Sequence, residues 1–443
     1  MINPTIIVEG KSRLSGSVRV SGSKDSALKL IAASLFSNDQ VFIENVPRVP
    51  IVEDMLIALE DMGVTVEWSG TSKLLINGAT INTHEIPSSF GSKYREAVLL
   101  VPALVFRFGK ALLPKLAETP VELRPINRLV ETWEKVGMLL KEDDKFHFIT
   151  GHQIKGANIN FRLNTHIGTD IAILSTIFAT GESTILNAAE EPEIEDLVNF
   201  CNAMGAEITR IDARTLSVQG KPLFQGTSFV VQGDKDEVVL FTVASLITQG
   251  NLTVSGAQKA HLLSFVNVLT KIGATYEFSG KDELRVWYAS DNLSATNITT
   301  SVAPGFLTDW QYVTTVLLTQ AQGESLMHET IYTDNFEYTK DLNRMGARIQ
   351  LYRPTELGLQ PIVSNDSYDI ETSGEPYTVA KIKGPTKLKG TKLYVNNAKQ
   401  GAALVLAALA AEGKSEITNY ALIEKEFFQF FTKLLDLDAH ISA

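Results

Sequence analysis

The stretch ALEDMGVTVE, residues 58–67, joins a helix to a strand through a single glycine. Apolar residues at three- and four-residue spacing give the helix one buried stripe. Gly63 stands where a left-handed residue stops a helix, and the alternating residues after it read as a strand. The same unit recurs as TWEKVGMLLK (132–141), FCNAMGAEIT (200–209), VLTKIGATYE (268–277), DLNRMGARIQ (341–350) and, worn at the end, LLDLDAHIS (434–442). Its markers are Gly63, Gly137, Gly205, Gly273, Gly346 and Asp438. Apolar segments such as SALKLIAASLF (26–36), TDIAILSTIFAT (169–180) and KQGAALVLAALAAEG (399–413) predict a second, more buried helix for each copy. A period of roughly 70 residues is too long for the usual solenoid repeat. It predicts six compact modules of strands and two helices, three in each of two similar α/β domains.

Length agrees: 443 residues are too many for one core. With 44% hydrophobic and 21% charged residues the composition is that of a soluble globular protein. The longest apolar run, Ala402 to Ala411, falls far short of a membrane span. The opening MINPTIIVEGKSRLSG breaks at Glu9 and reads as a strand, not a signal peptide. One cysteine, Cys201, allows no intrachain disulfide, and the expected compartment is the cytoplasm. A formal charge of −11 argues against nucleic acid as partner but leaves room for a locally basic cleft. Walker, zinc-spaced and Rossmann motifs are all missing, so neither metal nor organic cofactor is expected.

Five stretches, in order along nearly the whole chain, carry a family resemblance. They are GKSRLSGSVRVSGSKDSAL (10–28), VPALVFRFG (101–109), LNAAEEPEIEDLVNFCNAMGA (186–206), FLTDWQ (306–311) and HETIYTDNFEYTKDLNRMGA (328–347). The sequence resembles the UDP-N-acetylglucosamine enolpyruvyl transferases, also called 1-carboxyvinyltransferases; NAAEEPEIEDLVNF is the most specific match. The sister 5-enolpyruvylshikimate-3-phosphate synthases fit these stretches less well. The resemblance implies an inside-out α/β barrel fold with six βαβαββ-type units, three per domain, helices inside and sheets outside. It implies domains at 21–233 and at 1–20 plus 234–443, with the site in the cleft between them. The implied substrates are phosphoenolpyruvate and UDP-N-acetylglucosamine, at the first committed step of peptidoglycan synthesis.

Such a reaction needs cations for phosphate and carboxylate, an acid for the enol methylene carbon, and a base at the sugar hydroxyl. Lys24 matches the family lysine at phosphoenolpyruvate; Asp25 stands where the family has Asn. Arg95 and Arg124 match two arginines of the anion pocket, whose planar forks suit carboxylate and phosphate oxygens. Asp309 matches the aspartate that takes the hydroxyl proton, although a helix N-cap is its plain structural reading.

Several positions depart from the family. The loop LPKLAETPVELRP (113–125) has neither the glycines nor the Cys or Asp of the family's acid loop, which leaves Glu118, or else Glu122. Asn335, Lys399 and Lys425 stand where the family has arginines. A lysine keeps the charge and loses the fork. Asn127 replaces the aspartate that reads uracil. In the phosphate turn NTHIGTD (164–170), Asn164 and His166 precede Gly168, and His166 is either a diphosphate donor or a plain surface histidine. Asn187, Glu191 and Glu193 are expected to be partly structural, shaping the cleft. Three readings stay open: a working transferase, a paralogue for another nucleotide, and a binding protein without chemistry.

Overall fold

A computed structural model of the chain describes residues 4–117, 126–289, 293–364 and 368–442, apart from the side chains of Asn127 and Arg128. The chain divides into two compact units, Gly22–Gln232 and Met1–Ser21 with Gly233–Ala443. Among the described residues there are six sheets, three in each unit.

One module shows the build. Strand Asn158–Asn160 leads through helix His166–Thr176 to the parallel strand Glu182–Leu186. Helix Pro192–Ala203 follows, and the antiparallel pair Glu207–Asp212 and Thr215–Gln219 completes the sheet. The helix between the two parallel strands is buried without a break from Gly168 to Thr176. The second helix shows water one face, and its C-cap Met204 precedes Gly205. All six marker residues lie in the left-handed region, with φ of 88° at Gly63, 95° at Gly137, 99° at Gly205, 76° at Gly273, 102° at Gly346 and 68° at Asp438. Each glycine turns the chain out of an outer helix and into the first strand of an antiparallel pair, and Asp438 turns it into Ile441–Ser442, which pairs with Thr5–Glu9.

The buried helices explain the apolar segments. Lys24–Ser34 is buried from Ser26 onward, Lys235–Ile247 in all but one residue, Gln311–Leu318 throughout, and Ala398–Ala410 from Gly401 to Leu409. In the covering strands the inward residues alternate, as with Ile6 and Val8 of Thr5–Glu9, leaving the other face wet.

Two strands are exchanged between modules. Strand Ser15–Arg19 pairs in parallel with Asn251–Ser255, although the helix that follows it, Lys24–Ser34, belongs to the other unit. Strand Ser228–Val230 likewise pairs with Val41–Glu44 before the chain leaves that unit.

Leu406 is fully buried, whereas Leu435 is 50% exposed. Leu406→Ala should therefore cost about 2–5 kcal/mol of stability through lost contact and a residual cavity. Leu435→Ala should stay within about 0.5 kcal/mol. Urea denaturation followed by tryptophan fluorescence checks the contrast; equal midpoints for the two variants would contradict the buried placement of Ala398–Ala410.

Candidate active site

In the unit Gly22–Gln232, Lys24 opens the helix Lys24–Ser34, and Ser23 caps it by accepting from Ser26 N at 3.3 Å. Lys24 Nζ lies 3.8 Å from Asp25 Oδ1, and the Asp25 carboxylate is half exposed. This helix packs on the 3-10 turn Arg95–Leu100, which starts with Arg95. Glu96 lies beside them. Burial raises its pKa, its own backbone donor and the charge of Lys24 oppose the rise, Asp25 adds to it, and Arg95 opposes it again. The charges of Lys24, Asp25 and Arg95 thus all act on one carboxyl group. Glu118, Glu122 and Arg124 lie outside the described residues, as does the side chain of Asn127, which begins helix Asn127–Val136.

His166 and Gly168 form the first turn of helix His166–Thr176, capped by Thr165, which accepts from Gly168 N at 3.3 Å. A Cβ at position 168 would lie 2.4 Å from Thr165 Cγ2, so the tight cap requires glycine. The His166 ring meets Lys29 Nζ at 2.6 Å, and Lys29 also binds Asp170 Oδ1 at 2.8 Å. Asn164 donates to the carbonyls of Asn187 and Ala188, tying the turn to the NAAEEPE stretch. Asn187, at φ 54°, donates in turn to Phe161 O. Glu193 is buried and accepts from Ser23 Oγ at 3.4 Å. Asp196, one turn on, accepts from Gln232 N at 3.2 Å, and burial pushes its carboxyl up to about 6.

In the other unit the centre is Lys399. Its ammonium lies 2.8 Å from Asp309 Oδ1, 3.6 Å from Asp236 Oδ2 and 3.7 Å from Glu426 Oε1. Burial works against the ammonium, but the charges of Asp309, Glu426 and Asp236 outweigh it and raise the pKa well above the lysine range. Trp310 Nε1 donates to Asp236 Oδ1 at 2.9 Å. Asp309 does not cap a helix: it sits inside the 3-10 turn Thr308–Trp310, where Leu307 is the capping position. Its carboxylate, 37% exposed, is directed to Lys399 instead.

Asn335 has both ends of its amide engaged, accepting from Tyr312 Oη at 2.6 Å and donating to Thr308 Oγ1 at 3.2 Å. Thr308 passes the chain on to buried Glu329 at 2.7 Å, whose carboxyl burial pushes up. Lys425 is exposed at the end of the turn Tyr420–Lys425, and its neighbour Glu426 is the residue that reaches Lys399. Sequence reasoning passed over Lys29, Asp196, Asp236, Glu426 and Glu329. The one signal it left unused was a lone charge within an apolar helix, at Lys29 and again at Asp170.

Asp196 makes a test possible. Its ordinary carboxyl value is near 3.8 and its folded value about 6. Below the lower value both states hold the proton. Between the two only the folded state holds it, so stability falls as pH rises through that window. The full penalty, about 3 kcal/mol at roughly 1.4 kcal/mol per pH unit, is present above it. Asp196→Asn removes the ionisation, so the native protein should lose more stability than the variant between pH 4 and 6.5. Parallel denaturation profiles over that range would refute the assignment.

The family model of EPSP synthase (3-phosphoshikimate 1-carboxyvinyltransferase) matches residues 8–434. UDP-N-acetylglucosamine 1-carboxyvinyltransferase of Protochlamydia amoebophila is 30% identical over 442 residues, covering 98% of this chain and 93% of that one. The protein of the same name from Chlamydia trachomatis serovar D is 31% identical over 444 residues, covering 99% and 98%. Among solved structures, the enolpyruvyl transferase NikO from Streptomyces tendae superposes with a TM-score of 0.85 at 21% identity, over 100% of this chain and 99% of that one. EPSP synthase of Acinetobacter baumannii gives 0.75 at 16% identity, over 99% of each chain.

Proposed function

Because the chain belongs to the EPSP synthase family and, within it, to the UDP-N-acetylglucosamine 1-carboxyvinyltransferases, we propose that it moves the enolpyruvyl group of phosphoenolpyruvate to the 3′-hydroxyl of UDP-N-acetylglucosamine and releases phosphate. The observation that carries this reading is the Asp309 carboxylate, accessible to solvent and held by Lys399 at 2.8 Å. A carboxylate oriented by a cation and open to solvent is placed to accept a proton from a substrate hydroxyl.

In the proposed sequence Asp309 takes the hydroxyl proton as the sugar oxygen bonds to the C2 carbon of phosphoenolpyruvate. A proton reaches the methylene carbon, and we assign that delivery to Glu118. The tetrahedral adduct then loses a proton from the same carbon as the C–O bond to phosphate breaks. Lys24, Arg95 and Arg124 are assigned to the phosphate and carboxylate oxygens, whose developing charge fixed cations stabilise. Asn127, His166 and Gly168 are assigned to the nucleotide. Asp25, Asn335, Lys399 and Lys425 complete the substrate-binding set, with Asn335 acting through Tyr312 and Thr308.

The product enters peptidoglycan synthesis on this reading, and the protein works in the cytoplasm. Among the described residues no helix is long and apolar enough to cross a membrane. A second reading, sugar-nucleotide binding without turnover, draws on the loop 113–125, which has no cysteine, and on Cys201, whose thiol is buried and pushed up by that burial.

Phosphate release from phosphoenolpyruvate separates the two. Release that requires UDP-N-acetylglucosamine and falls about 10²–10⁴-fold in Asp309→Asn, the range of a lost general base, supports the transferase. Sugar-nucleotide binding without release supports the second reading.

A further inference from the structure

Lys29 stands within the apolar run of helix Lys24–Ser34, 2% exposed, with its Nζ between Asp170 Oδ1 at 2.8 Å and His166 Nε2 at 2.6 Å. Asp170 is 5% exposed, and His166 31%. A buried ion pair of this kind adds little to stability compared with apolar residues of the same volume. Its effect falls on the third member. A lysine ammonium has three protons to give and no lone pair. Nε2 of His166 therefore accepts, and the one proton of the ring sits on Nδ1. The other Asp170 oxygen is 3.9 Å from Nε2, too far to compete. Among the described residues Nδ1 makes no hydrogen bond within the protein, and it is not among the buried polar atoms left without a partner, so its N–H faces solvent.

We propose that Lys29 is a positioning residue that locks His166 in the Nδ1–H form, so that this ring donates to an oxygen of the bound sugar nucleotide. The assignment rests on the substrate reading given above. An isolated imidazole exchanges between two tautomers, and only one places a donor at Nδ1. Lys29 removes the other by occupying Nε2 with a donor, and Asp170 holds Lys29 in place. Neither Lys29 nor Asp170 needs to touch the ligand.

Calorimetric titration of the full chain with UDP-N-acetylglucosamine, paired with nitrogen-15 histidine spectra of the unliganded protein, tests this. His166→Asn places an amide N–H near Nδ1 and should retain more of the native affinity than His166→Gln. His166→Gln places it near Nε2 and should bind about tenfold more weakly, the usual loss for one hydrogen bond to a charged acceptor, whereas Lys29→Met keeps the donor but frees its tautomer and should weaken binding by about threefold. Added to His166→Asn, Lys29→Met should cost nothing further, because an amide has no tautomer to lock. Lys29→Met with Asp170→Asn repeats the test without a stranded buried carboxylate. The native spectrum should report His166 protonated at Nδ1. An Nε2–H spectrum overturns the lock. Equal losses from Lys29→Met with and without His166→Asn overturn the positioning role in favour of a structural one. If the native protein binds no sugar nucleotide, the substrate reading falls and takes the ligand role of His166 with it, while the spectrum still decides the lock.

Discussion

A helix buried on every side has no wet face on which to place a charge, and much of this structure follows from having such helices in both units. Lys24–Ser34 and His166–Thr176 in one unit, and Lys235–Ile247, Gln311–Leu318 and Ala398–Ala410 in the other, need sheets around them. Some of their internal hydroxyls bond back onto their own backbone, as Thr176 does to Ala172 O and Thr248 to Ala244 O, while Ser245 donates to Val286 O of a covering strand. Charged groups are confined to the ends. Lys24, His166 and Lys399 stand in the first turns of such helices, and Asp309 lies in the short turn just before another. The candidate chemistry gathers there because nowhere else on these helices does a charge meet both water and the core. Lys29 and Asp170 are the exception, and each is the other's only cheap solution in a medium of low polarity.

Buried charge is handled in two ways. Around Lys399 one cation answers three carboxylates, which holds the lysine charged and keeps Asp309 oriented. Around Asp196 the answer comes from neutral donors, the Gln232 amide and Ser26, and that carboxyl sits near 6. A charge paired at contact distance is fixed, whereas Asp196, met by two neutral donors and by the opposing charges of Glu193 and Lys29, is left close to titration.

The repeat was legible in the sequence because it is local: a helix stripe, a stop and an alternating strand all lie within ten residues, and the left-handed backbone at Gly63 through Asp438 is the physical cause of that pattern. The buried second helices were legible as apolar runs for the same reason. Asp309, Lys24 and Arg95 were nominated through family motifs, and the N-cap reading of Asp309 failed because its partner, Lys399, lies far along the chain. Asp236, Glu426 and Asp196 were invisible for that reason too. An acidic residue in an outer turn looks the same in sequence whether it faces water or closes on a distant lysine. Lys425 and Glu426 show how fine the margin is, since adjacent residues on one short turn point to solvent and to Lys399 respectively.

The exchanged strands also set an order of assembly during synthesis. The sheet containing Val41–Glu44 closes only when Ser228–Val230 has been made, after which Gly22–Gln232 has all its own strands. The strand Ser15–Arg19 must wait for Asn251–Ser255, and Thr5–Glu9 for Lys414–Thr418. At roughly 5–20 residues per second of translation, Thr5–Glu9 stays without Lys414–Thr418 for tens of seconds while all of Gly22–Gln232 is made behind it. Glu9 at the end of that strand and Lys11 just beyond it place charge beside the waiting edge and disfavour pairing with another nascent chain.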